Sequence, residues 1–458
     1  MLKLIKNEWI KIFSKVSTYI MLVLVALFVI GFAGLMFINS RYEYDSRFAV
    51  DENSELEYLT ISKPSGYEVD VSMYEFMRDS GKEWYYGQWQ TDAIQDVFQE
   101  FQAPLLYQAD QLTEEEKNAW NTRLETAKAL ILADDWDGYV EEWLDYLNNT
   151  VEDPAMLEAK SYYWNYMKEH QIDPESGDWR EESARTIGSM KEQLAEMEAQ
   201  IADVANISEE RKREITDPLA LEEYRLENGI ENYMDENGRT NDLFFNTWTQ
   251  GAMIVVLASV VMIVLAGGCV ANEFSNGTIK FLLINPVKRS KIIISKYLTL
   301  ILVSVVLIFG IFAVSGVTDL ILFGAEGWNT PMLSVHDGVV SQGNAVFYVL
   351  KSYFYQGINL LVMMTMAFMI SSLLRSSAVS IGIGVAALMG GSMLIQILAM
   401  LGCDWGRYIL FANTDLNSIA QGNGIFPNQD LTSSIVILAV YMAVFLLTAY
   451  DGFTRREV

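Results

Sequence analysis

Apolar residues run almost unbroken through 18–38, and again through roughly 247–270, 292–318, 345–373, 377–401 and 432–450. A helix crosses the hydrocarbon core of a bilayer with about 20 mostly apolar residues, so the pattern predicts six membrane-spanning helices. Ahead of the first run the pattern changes. Ile5, Trp9, Ile12, Phe13 and Val16 fall on one helical face, with Lys3, Lys6, Asn7, Lys11, Ser14 and Lys15 to the other side. This predicts an amphipathic helix over 1–17 lying in the membrane interface; a plain basic flank of the first span is the alternative. The run 18–38 is too long for a signal-peptide core and shows no small-residue cleavage site.

Between the first and second runs, residues 39–245 mix polar and apolar positions at helical spacing. Thr113-Glu114-Glu115-Glu116 is a capping box that predicts a helix over 113–132. Further helices are predicted over 136–148, 154–170 and 219–233. Ile187, Met190, Leu194, Met197, Ile201 and Val204 recur at alternating steps of three and four. Such a seam predicts a helix over 181–214, ended by Asp217-Pro218, that packs within its own domain or against a second copy. Residues 39–80 are expected to hold a short strand or two.

Charge sharpens this division. The chain has 458 residues and a formal net charge of −27. Residues 39–245 hold 49 of the 59 acids and 18 of the 32 basic residues, so they carry −31 and the remainder +4. An acidic, water-facing domain is thus inserted into a slightly basic membrane protein. Basic residues near span ends stay in the cytoplasm. They gather before the first span, in the loop after the second (Lys280, Lys288, Arg289, Lys291, Lys296), at Arg375, and at Arg455 and Arg456, whereas 319–344 and 402–431 carry only Arg407. Both termini are therefore expected in the cytoplasm and 39–245 outside it. The expected fold is an all-α membrane protein: an interfacial helix, six transmembrane helices, and a large, mostly helical extracytoplasmic domain between the first two spans. Trp9, Trp248, Trp328 and Trp405 fall near the expected interfaces, where indoles are favoured.

Several chemistries are set aside. Two cysteines, Cys269 and Cys403, and two histidines, His170 and His336, leave no transition-metal pattern. Asp134, Asp135, Asp137 and Gly138 resemble part of a calcium loop, but Ala133 and Leu144 occupy its first and twelfth positions, which need oxygen ligands. No G-x-x-x-x-G-K-[ST] is present, so the chain has no P-loop, and no metal, cofactor or catalytic residue is expected on it. The seven tryptophans from Trp84 to Trp179 line a ligand surface or, more ordinarily, a core. The spans are nearly free of charge; Lys351 lies near the outer end of the fourth and is placed to snorkel. Gln356, Asn359 and Gln396 serve as glue between helices or line a pathway. Gly267-Gly268, Gly382, Gly384 and Gly390-Gly391 permit close helix contact.

The most informative stretch is 271–296. Asn276-Gly277 signals a turn. Thr278 can cap a short helix whose apolar face is Ile279, Leu282 and Leu283, Pro286 ends it, and Ser290 is expected to cap the third span. In order, Glu273, Phe274, Gly277, Thr278, Lys280, Leu282, Leu283, Pro286, Arg289 and Lys296 resemble the loop between the second and third spans of the type-2 ABC transporter permeases. Residues 367–380, AFMISSLLRSSAVS, resemble that family's inner turn between the fourth and fifth spans, and Phe453-Thr454-Arg455-Arg456-Glu457 its basic ending. The resemblance spans the N-terminal helix and all six spans but not 39–245.

The resemblance implies a permease subunit of an ATP-driven exporter in a bacterial plasma membrane, moving a peptide, an antimicrobial or a lipid-like compound. Glu273, Phe274, Gly277, Thr278, Lys280, Leu282, Leu283, Pro286 and Arg289 would form a coupling helix, assisted by Ile5, Trp9, Ile12 and Phe13. It would dock on separate ABC ATPase subunits that hold ATP and Mg, and pair with a second permease copy or a related chain. Membrane lipids are the remaining partner; no nucleic acid is expected. Read without the resemblance, the loop is also an ordinary basic connector. The alternatives are then a receptor or sensor whose external domain binds a ligand, and an intramembrane enzyme, against which the nearly charge-free spans count.

Overall fold

The computed structural model describes residues 1–41, 49–201, 209–275, 277, 288–374 and 376–455. The chain is mostly helical and forms two compact units. One comprises Met1–Arg41, Asn232–Leu333 and Gln342–Val458; the other comprises Tyr42–Glu231 with Ser334–Ser341.

Among the described residues, the membrane unit contains six helices long and apolar enough to cross a bilayer: Val16–Arg41, Leu243–Ser275, Arg289–Phe323, Ala345–Leu373, Ser377–Met400 and Leu431–Thr454. They are called the first to sixth spans below. The second and fourth pack on each other along their length, the fourth also on the sixth, and the third on the first. In the second and fourth, 61% of the most apolar window is buried, against 11% in the sixth, so these two helices form the centre of the unit.

The second span is composite. A helix over Leu243–Gly251, begun by Asp242 accepting from the Phe245 amide at 3.0 Å, passes through a tight 3₁₀ turn at Ala252–Ile254 into Val255–Cys269. Small residues set the helix spacing. A Cβ on Gly267 would meet Ile381 at 2.9 Å, and one on Gly384 would meet Ile263 at 2.6 Å. The second and fifth spans can therefore approach only because these positions lack side chains. Gly382 and Gly390 face open space and have no such role.

The strongly acidic unit holds a core of aromatic rings. Trp84, Trp89 and Trp143 are buried, and Trp84 Nε1 donates to the Met77 carbonyl at 3.0 Å. The Phe101 ring lies 5.5 Å from Trp143 and 4.9 Å from Tyr146. Such a ring network is how a cysteine-free domain obtains apolar burial. The Thr113/Glu116 capping box is present in full, and the helices Glu114–Ala133, Trp136–Thr150 and Pro154–His170 match their expected ranges within two residues. Between the first two, Asp134 closes one helix in the left-handed region (φ 59°) and Asp135 caps the next by accepting from the Gly138 amide at 3.0 Å. The aspartates that resemble a calcium loop are thus helix terminators.

Several expectations are corrected. Among the described residues of 39–80 there are helices at Glu52–Ser62 and Tyr67–Ser80, and the extended pairing is a single bridge, Ala49 to Tyr85. Val69, Met73 and Met77, at steps of four, face the core, a helical period that the scattered β-branched residues obscured. The seam helix spans Trp179–Ile201; Val204 lies outside the described residues. It packs against Pro154–His170 and Glu209–Asn228, within its own unit. Pro218 lies inside Glu209–Asn228 rather than ending a helix. Packing against the seam helix, with Lys191 and Glu223 at 3.0 Å, offsets the lost backbone bond. Finally, Pro331–His336 and Val339–Asn344 pair as a two-stranded hairpin, so the fold is not purely helical. Asp337 (φ 53°) and Gly338 (φ 75°) form its turn, as the Asp-Gly dipeptide favours.

Candidate functional site

The N-terminal helix, Leu2–Phe13, begins with a strongly amphipathic sequence but buries no residue completely. Ile5, Trp9, Ile12 and Phe13 are half-buried, and the last three pack on the core of the membrane unit. Trp9 and Phe13 rings lie 4.7 Å apart. The helix rests chiefly on the third span. Val16, expected on the same stripe, is instead exposed at the start of the first span. After Phe13 the chain turns, and Thr18 Oγ1 donates back to the Ile12 carbonyl at 2.8 Å.

Glu8 sits among the apolar positions of this helix, three residues after Ile5 and four before Ile12. It points to Lys296, whose Nζ lies 2.9 Å from each Glu8 carboxylate oxygen and 2.7 Å from Glu273 Oε1. Lys11 also pairs with Glu273 Oε1. The Lys296 side chain is 0% exposed and that of Glu273 2%. Two acids and two bases, contributed by three separate parts of the chain, thus meet in one ion-pair cluster. A charge removed from water costs several kcal/mol unless it is paired and hydrogen-bonded, and Lys296 has both kinds of compensation. Removing one member leaves its partners with uncompensated charge.

The backbone positions Glu273 by ending one helix and starting another. The long helix of the second span ends at Cys269, and the span closes with a short turn of helix, Ala271–Ser275. Ser371 Oγ, from the fourth span, accepts from the amides of Val270 at 3.2 Å and Ala271 at 3.0 Å. Those amides would otherwise be buried without partners at this break. Phe274 packs on the core. Gly277 has φ 69° and donates its amide to the Phe274 carbonyl at 3.2 Å, so the turn expected at Asn276-Gly277 is seen at its second residue. On the other side, Tyr297 and Thr365 hydroxyls share a hydrogen bond of 3.0 Å, tying the third span to the fourth.

Of the residues singled out in the loop, Thr278, Lys280, Leu282, Leu283 and Pro286 lie outside the described residues, as do Asn276, Ile279, Arg375 and Arg456. Arg289 is the first residue of the third span. Lys288 holds the N-cap position without a side-chain cap, so Ser290 lies in the first turn rather than capping it. Lys296 is not a loop cation but lies two turns inside the helix. Trp248 is buried, with Nε1 donating to the Phe312 carbonyl at 3.1 Å. Asp319, one residue beyond the expected end of the third span at 318, falls inside its helix and is fully buried. Among the described residues, no cluster of His, Cys, Asp or Glu has the makings of a metal site.

Glu8 and the partnership of Lys296 were missed because local spacing cannot pair residues so far apart in sequence. One signal was available. Glu8 is the lone acid on a lysine-rich helix, and it interrupts the apolar face rather than the polar one.

Residues 225–458, from the end of the acidic unit through the sixth span, match the family model described as protein of unknown function, DUF2705. The chain is 32% identical over 274 residues to the uncharacterized protein YhcI of Bacillus subtilis (strain 168), covering 59% of this chain and 83% of the relative. It is 30% identical over 221 residues to the uncharacterized membrane protein YdbK of the same strain, covering 48% of this chain and 85% of the relative.

Proposed function

The chain belongs to the DUF2705 family, and from that premise we propose that it is the membrane-spanning permease subunit of an ATP-driven ABC exporter. The observation that carries this reading is the ion-pair cluster of Glu8, Lys11, Glu273 and Lys296, in which Glu273 and Lys296 are buried. It fastens the N-terminal helix, the end of the second span and the beginning of the third span together beside the basic loop. A separate ATPase pushing on that loop would then move three elements as one body, because shearing any of them away would strand a charge out of water.

In this reading the ATPase subunits hold ATP and Mg, and their closure drives the motion. A second permease copy or a related chain completes the pathway. Both termini and the loop after the second span lie in the cytoplasm, and the acidic unit lies outside. The cargo is a peptide, an antimicrobial or a lipid-like compound. The acidic unit's charge would raise the local concentration of a cationic cargo, an effect that weakens with salt.

Purification of the tagged chain in mild detergent, with mass spectrometry of what accompanies it, tests the proposal. A stoichiometric cytoplasmic protein with a P-loop is the expected companion. Its absence across several detergents overturns the permease reading in favour of a receptor or sensor, and the loop becomes a plain connector.

A further inference from the structure

An apolar groove of about 440 Å³ runs along the outside of the membrane unit between the third and fourth spans. Val305, Phe309 and Phe312 line one wall, and Phe354 and Leu361 the other, with Lys351 at one end. The volume lies in the range of small-molecule sites, but the groove is open: Phe309, Phe354 and Val305 are all exposed. Gly357 lies on its floor, where a Cβ would meet Ile308 Cδ1 at 2.8 Å. The third and fourth spans are close at this level, with the Phe312 and Tyr353 rings 5.3 Å apart.

Lys351 distinguishes this groove from an ordinary lipid-facing furrow. It lies six residues into the fourth span, which begins at Ala345, or about 9 Å along the helix. Its ammonium lies over the rings of Tyr348 and Tyr355, at 5.5 and 5.8 Å from their centroids. Among the described residues it has no carboxylate partner. A lysine at this depth extends its charge toward the interface while its stem stays in hydrocarbon, and a cation–π contact supplies only part of what water would. An unpaired cation over the end of a lipid-exposed apolar groove is complementary to a molecule with an anionic head and a long apolar tail.

We infer that this groove is a binding site for an anionic phospholipid, with one acyl chain between the third and fourth spans and the phosphate on Lys351. The inference is independent of ATPase coupling. Anionic lipid would hold the two spans in register, since the acyl chain touches both walls and the headgroup is fixed to one.

The test is native mass spectrometry of the full chain in detergent, titrated with phosphatidylglycerol and phosphatidylcholine of identical acyl chains. The wild type is expected to retain phosphatidylglycerol over phosphatidylcholine by about fivefold, what one lysine near an anionic surface is worth. Lys351→Gln should bring the two lipids to parity, and Lys351→Arg should keep the preference. Val305→Trp, which fills the groove from its exposed side, should lower retention of both lipids. Equal retention by the wild type identifies ordinary surrounding lipid and overturns the site. A preference that survives Lys351→Gln removes the headgroup assignment. Undiminished binding to Val305→Trp removes the groove, as does a second copy of the chain seated there in place of lipid.

Discussion

The two ends of the third span bury opposite charges in opposite ways. Lys296 and Asp319 belong to one helix and are both 0% exposed. At 1.5 Å per residue they lie about 34 Å apart, close to the thickness of the hydrocarbon core. Lys296 contacts two carboxylates, and Lys11 pairs with one of them, Glu273. Asp319 accepts from Ser315 Oγ at 3.2 Å and makes no ion pair among the described residues. Around it are Tyr353, whose hydroxyl donates to the Trp248 carbonyl at 3.1 Å, and Gly251, where a Cβ would meet both Ser315 Oγ and the Tyr353 hydroxyl. The contrast separates two uses of a buried ionisable group. A cluster completed by ion pairs locks elements together, whereas a carboxyl whose ion pairing is incomplete among the described residues leaves a polar site open to rearrangement.

The largest expected effect comes from breaking the complete end. Lys296→Met leaves Glu8 and Glu273 without their central cation and should destabilise the membrane unit by about 3–5 kcal/mol, read as a fall in unfolding temperature in detergent. Combining it with Glu8→Leu should recover part of the loss, because the second change removes a stranded charge. A coupling below about 0.5 kcal/mol in that double-mutant cycle would mean that the cluster does not act as a unit.

A half-buried acid in the acidic unit, Asp96, provides a reference in water. Burial, with Asp92 and then Glu100 nearby and opposed by Arg185, pushes the Asp96 carboxyl up from 3.8 to about 6. The folded state therefore keeps a proton that the unfolded chain releases at lower pH. This contribution to stability is fully present below about pH 4 and is lost as pH rises through about 6. After allowance for solvent screening it amounts to roughly 1–2 kcal/mol. Chemical denaturation of the full chain between pH 4 and 7, followed by the tryptophan fluorescence of the aromatic core, should show a decline that Asp96→Asn flattens. An unchanged slope in the variant would assign the decline to other carboxyls.

The smallest effect is expected at the incomplete end. Asp319→Asn preserves shape and can still accept from Ser315, so unfolding in detergent should shift by less than about 1 kcal/mol. A loss as large as that of Lys296→Met would erase the contrast and show that the Asp319 carboxylate has an ionic partner in the membrane.

What was legible in the sequence follows from how local each feature is. The six spans come from continuous apolar runs, and Thr113–Glu116 specifies a helix start within four residues. The Asp-Gly turn at 337–338 was equally local, but the surrounding stretch between two spans lacks the alternation that marks a half-buried strand. Pro218 misled because tertiary packing outweighs a local breaker. At the candidate site, Glu273 was legible through its place in an ordered pattern. Lys296 was legible as a charge but not as a buried one, since the apolar run 292–318 was taken to begin at the membrane edge while the helix begins at Arg289. Its partner Glu8 is 288 residues away, beyond any local pattern.

That separation also bears on how the chain is built. The N-terminal helix leaves the ribosome long before Lys296 exists, so Glu8 spends most of synthesis without its partner. Closing so long a loop costs only a little more entropy than closing one half its length, and a domain folded within it shortens the effective path further. A helix made early is therefore among the last to lock. A nascent chain arrested ahead of the third span would carry an N-terminus still free to be captured by membrane, chaperone or protease.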